Sequence, residues 1–87
     1  MNNGSLRVQV EGMILGYEDK VRKSDGSPYR IIRFSDTTGL PGEAIDYDPA
    51  REIKVFSPAK FDMTVKWGTG SQYGAYVKLM VNSIDQA

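Results

Sequence analysis

The sequence predicts an all-β domain of small-barrel type. Three observations carry this. Alternation of apolar and polar residues at period two recurs along the chain, while helical periodicity is weak everywhere. Clusters of glycine, proline, serine and aspartate separate the alternating runs. The chain has 87 residues, enough for one small core and one domain spanning 1–87.

The elements follow in order. Residues 1–5 read as a disordered tail, without the basic or apolar part of a signal peptide. Leu6, Val8 and Val10 alternate with Arg7, Gln9 and Glu11, a strand with one buried face. Gly12 interrupts it before Met13-Ile14-Leu15, Gly16 and Tyr17. A glycine inside a long strand marks a bend or bulge, where the strand leaves one sheet and enters another. Lys20 to Pro28 reads as a loop with the turn chemistry Ser24-Asp25-Gly26-Ser27-Pro28. Tyr29 to Ser35 is a second strand, with Ile32 and Phe34 on one face and Tyr29, Ile31 and Arg33 on the other. Thr37 to Gly42 is a turn, and Ala44 to Tyr47 a short third strand. Asp48-Pro49 opens an irregular stretch in which Ile53 to Phe56 fits either a strand or one helical turn. Phe61, Met63, Val65 and Trp67 alternate with Asp62, Thr64 and Lys66 as a fourth strand, Trp67 sharing the inward parity. A loop from Gly68 to Gln72 leads to a last strand, Tyr73 to about Ile84. Five short or bent strands make an OB-type barrel the expected fold, with an SH3-like barrel as the alternative.

Composition removes most chemistry. There is no cysteine and no histidine, so thiol nucleophiles, disulfides, thiolate metal sites and every histidine-based catalytic arrangement are absent. The acidic pairs Asp46/Asp48 and Glu18/Asp19 would need a metal or an activated water to act, and read as solvated loop charges. Gly68-Thr69-Gly70-Ser71-Gln72-Tyr73-Gly74 fits no phosphate-loop fingerprint, because it lacks the following lysine and leads into a strand. The expectation is a non-enzymatic protein without cofactor, metal or small-molecule substrate. No apolar run approaches the roughly 20 residues of a membrane helix, which makes a cytoplasmic protein without a membrane partner the expectation.

Formal net charge is zero, but it is unevenly placed. Lys20, Arg22, Lys23, Arg30 and Arg33 stand against Asp25 alone, whereas Asp36, Glu43, Asp46, Asp48 and Glu52 stand against Arg51 alone. Binding of a single-stranded nucleic acid needs cations that follow phosphates and flat apolar groups on which bases stack. Here they interleave. The basic run Lys20, Arg22 and Lys23 leads into Tyr29, and the solvent-facing stripe continues through Ile31 to Arg33. A second group surrounds the glycine-rich hairpin: Lys66 before it, Tyr73 at its far end, and Lys78 beyond on the face shared with Tyr76. These nine residues are the candidate nucleic-acid contacts. The rival reading is a protein–protein adaptor that uses the acidic stretch Glu43 to Glu52, with the aromatics as hot spots.

At these two constellations the sequence resembles the gene V-type single-stranded DNA-binding proteins of filamentous bacteriophages. The likeness lies in Lys23-Ser24-Asp25-Gly26-Ser27-Pro28-Tyr29 and in Gly70-Ser71-Gln72-Tyr73-Gly74 before an apolar strand. It implies a five-stranded OB-type homodimer that coats single-stranded DNA during replication in the cytoplasm of a bacterial host. It further implies base stacking at Tyr29, phosphate contacts at Arg22 and Lys23, and DNA contact at Tyr73 beside the partner subunit. The chain departs from the family late in the last strand, where Met80, Asn82 and Ser83 stand in place of arginines. RNA remains an alternative ligand, since a stacking platform does not read the 2′-hydroxyl.

Overall fold

The computed structural model describes residues 3–71 and 74–86. Five strands account for most of them: β1 (Asn3–Val21), β2 (Pro28–Asp36), β3 (Pro41–Asp46), β4 (Pro58–Ser71) and β5 (Gly74–Asp85). They close into a barrel in the order β1-β2-β3-β5-β4, with β4 returning to β1. Every neighbouring pair is antiparallel except β3 and β5, which run parallel and meet at Ile45 and Met80. The protein is therefore an all-β closed barrel, as the alternation predicts.

The length of β1 makes closure possible. Its 19 residues would run about 60 Å if straight, longer than the 40 Å greatest extent of the molecule. The strand has to coil. It pairs with β4 from Asn3 to Met13 and with β2 from Gly12 to Val21, so one strand serves both sides of the barrel. The register slips between Ile14 and Gly16, leaving Leu15 as a bulge. Gly12 is the crossing point: a Cβ there would overlap the Ser35 carbonyl oxygen and lie 3.1 Å from the Asp36 Cα. The glycine read from the sequence as a bend is required by the close approach of β2.

Ile14, Ile32, Phe34, Phe61, Met63 and Val81 form the buried centre. The Phe34 and Phe61 rings pack with centroids 5.0 Å apart. Removing these side chains from water supplies about 1.5–3 kcal/mol for each fully buried one. The segment 47–57 crosses one end of the barrel. The Phe56 amide donates to the Ile14 carbonyl (2.6 Å), the Ile14 amide donates to the Ser57 carbonyl (3.3 Å), and Ile53 packs onto the core. This segment is neither strand nor helical turn, which resolves the open choice at Ile53 to Phe56. It ends in a tight turn with Phe56 at φ 58°.

Several expectations are corrected. Asn3 to Ser5, read as tail, belong to β1 and pair with Gly68, Trp67 and Lys66. Lys20, placed in the first loop, lies in β1, and the loop shrinks to 22–27. Gly68 to Ser71, read as loop, continue β4. Trp67, expected in the core, is 41% exposed. The cause is that β1, β4 and β5 outrun β2 and β3 at this end, so their inward face emerges from the barrel. There the Trp67 ring lies over Gly4, where a Cβ would overlap it. Leu6 emerges likewise, 57% exposed.

Candidate nucleic-acid interface

The outer face of the barrel gathers most of the residues named from the sequence. Along β2, Arg30, Ile32 and Phe34 point inward, which sets Tyr29, Ile31 and Arg33 outward. Antiparallel pairing places Ile31 opposite Ile45 of β3 and Arg30 opposite Asp46. One residue beyond that register, Tyr29 and Tyr47 line the same groove. From the other side of β3 comes β5, bringing Lys78. Together Arg22, Tyr29, Ile31, Ile45, Tyr47 and Lys78 line an open groove of ≈ 400 Å³. Its floor is apolar and aromatic, and cations stand at both ends. This is the arrangement in which a flexible anionic chain with flat bases satisfies both kinds of group at once.

The groove is held by a hydrogen-bonded frame. In the loop 22–27 the Arg22 amide donates to the Ser27 carbonyl (2.8 Å) and the Gly26 amide to the Arg22 carbonyl (2.9 Å). Gly26 adopts φ 73°, the left-handed conformation that favours glycine. Asp25, an acid in a basic loop, has a structural use: its carboxylate accepts from the Ser27 amide (3.0 Å) and hydroxyl (2.7 Å). Those bonds, the amide's foremost, hold the carboxyl below its ordinary range, with a smaller contribution from nearby Arg22. Behind the groove, Asp46 is fully buried and accepts from the Asp48 amide (2.9 Å) and from Arg51 Nε (2.9 Å). Arg30 is buried beside it, donating to Asp19 (2.7 Å) and to the Arg51 carbonyl (2.9 Å), with its guanidinium 4.2 Å from the centre of the Tyr17 ring. The Asp19 bond chiefly raises the Arg30 pKa. Asp46 and Asp48 thus do not share a catalytic face, and among the described residues no cluster of carboxylates, cysteines or histidines is arranged to hold a metal ion.

The named cations divide into two classes. Arg33 lies 3.4 Å from Glu43 and 3.6 Å from Glu18, and Lys20 lies 3.9 Å from Glu18. Their charge is already answered. Arg22, Lys23, Lys66 and Lys78 have no acidic partner within ion-pair distance among the described residues. Lys66 and Lys78 are direct partners across β4 and β5, a like-charge pair that is unfavourable unless an anion covers it. Lys78 Nζ also sits 5.8 Å from the centre of the Tyr76 ring. Tyr73 lies outside the described residues.

Sequence reasoning missed Tyr47 and Ile45. Both stand in the acidic stretch, where the charges mask the alternation Ala44, Asp46 inward and Ile45, Tyr47 outward. The structure also breaks that stretch apart: Asp46 is buried against Arg51, and Glu43 is paired with Arg33. No family model matches the chain, and no similar curated protein or solved structure is found.

Proposed function

We propose that the protein binds single-stranded DNA without sequence preference and without catalysis, as a coat that protects exposed strands. The observation that carries this reading is the groove between Arg22 and Lys78, floored by Tyr29, Ile31, Ile45 and Tyr47. Bases stack on the aromatic floor while phosphates reach Arg22, Lys23, Lys66 and Lys78. A duplex keeps its bases in the stack and cannot use the floor, so preference for single strands follows from the chemistry. Strand order with parallel β3 and β5 supports an OB-type assignment for the barrel. The apolar surface left by Leu6, Trp67 and Val77 beyond the barrel end supports a homodimer.

Fluorescence anisotropy with a labelled oligo-dT, with duplex of equal length as competitor, tests the reading. The four cations without an acidic partner among the described residues, at about −0.7 each, give a log–log salt slope near −3. Between about 50 and about 200 mM salt, affinity then falls about 50-fold. Displacement by duplex at equal concentration, or no binding at low salt, overturns the proposal.

A further inference from the structure

Within the groove, one aromatic face is already occupied. Tyr47 is 38% exposed, and the guanidinium of Arg22 lies 4.6 Å from the centre of its ring. The two residues are anchored differently. Tyr47 follows Asp46 directly, and the buried Asp46 carboxylate binds both the Asp48 amide and Arg51, so the backbone on either side of the ring is fixed. The backbone of Arg22 is held through Ser27 and Gly26, and among the described residues its exposed side chain has no acidic partner within ion-pair distance. A ring on an anchored backbone therefore lies under a cover held in place by side-chain torsions alone.

We propose that Tyr47 is a second base-stacking platform beside Tyr29 and that Arg22 is its lid. An incoming strand takes the ring with a base and draws the guanidinium onto a phosphate. The inference rests on the groove's being the nucleic-acid site. The exchange is favourable on both sides. An exposed cation–π pair is worth about 2- to 5-fold in an equilibrium constant, and a stacked base about 5- to 150-fold. The displaced guanidinium is then free for a charge-assisted bond to phosphate oxygen, which its planar fork fits.

Three variants of the full chain separate platform from lid, with folding checked by thermal unfolding. Tyr47→Leu keeps apolar volume and removes the ring; Tyr47→Phe keeps the ring. The expected result is oligo-dT binding weakened about 5- to 150-fold in Tyr47→Leu, with an unchanged salt slope, and retained in Tyr47→Phe. Arg22→Gln removes the charge and uncovers the ring. Its salt slope falls by about 0.7, so it binds more weakly than the parent at low salt. At high salt, where phosphate contacts are screened, it matches or exceeds the parent, and the two salt curves cross. If Tyr47→Leu does not fold, photocrosslinking of an iodouracil oligonucleotide to the parent protein replaces it, with an adduct on Tyr47 expected. Oligo-dT binding that is weakened by Tyr29→Ala but not by Tyr47→Leu overturns the platform while leaving the proposed function standing. Arg22→Gln weaker than the parent at every salt concentration overturns the lid. A parent protein that binds no oligo-dT overturns both the inference and the function beneath it.

Discussion

Replacing Tyr29 by alanine separates binding from folding. The ring is half-buried on the outer face of β2, while the core side chains Ile32 and Phe34 point the other way. Full burial of such a side chain contributes about 1.5–3 kcal/mol, so a half-buried ring on the groove side contributes about 1 kcal/mol. In a domain of this size that lowers Tm by roughly 4–8 °C. The effect on binding is larger. One stacked base is worth about 1–3 kcal/mol, so the dissociation constant for oligo-dT rises roughly 5- to 150-fold. The salt slope stays the same, since a tyrosine carries no charge to a phosphate. Anisotropy titrations at several salt concentrations, together with a thermal melt, read all three quantities. An unchanged dissociation constant refutes stacking at Tyr29. A salt slope reduced in the variant shows that the ring acts by placing a cation. Loss of the thermal transition shows that Tyr29 is part of the fold's support, and the division between inner and outer faces then fails.

Three further outcomes are expected. Lys78→Glu replaces the like-charge pair with Lys66 by an opposite-charge pair, so stability rises by about 0.2–1 kcal/mol while DNA affinity falls; a variant both less stable and equally tight in binding contradicts the assignment. Gly12→Ala places a Cβ against the Ser35 carbonyl and costs about 1–3 kcal/mol, read as a lower denaturant midpoint; an unaltered midpoint shows that β1 need not cross β2 there. The Asp25 carboxyl sits below its ordinary range because it accepts from Ser27. A depressed folded pKa means that its bonds help order the 22–27 loop above the ordinary carboxylate range and are lost as pH falls through the lowered value. The Ser27 amide resonance should shift across that acidic window, and an Asp25→Asn variant should show no such titration.

The sequence revealed the parts of this protein that depend on alternation and on single glycines. Inward Ile32 and Phe34 against outward Tyr29 and Ile31 follow from period two alone, and Gly12 announces the crossing of β1 by interrupting a strand. What alternation cannot show is where a strand runs past its neighbours. Trp67 shares the parity of Phe61 and Met63, yet it emerges because β4 outlasts β2 and β3. Charge was legible as a list but not as pairs. Arg33 and Lys20 are equivalent to Arg22 and Lys78 in sequence, but in space Glu18 and Glu43 stand beside the first two. Tyr47 was hidden for the same reason, since acids that flank it in sequence face other ways in space.

The barrel has one weak stave. β3 and β5 meet in parallel at a single paired position, Ile45 with Met80, whereas every other neighbouring pair is joined over a longer register. For the cylinder to open, fewest backbone bonds would have to part at this joint. Ile45 lies in the floor of the groove, and Lys78 reaches it from the far side of the joint. On the proposed function, a polyanion lying across both would act as a clasp, lending the cylinder a closure that its own backbone supplies only at one point. Occupancy and mechanical integrity would then be one property, with the empty protein the looser form.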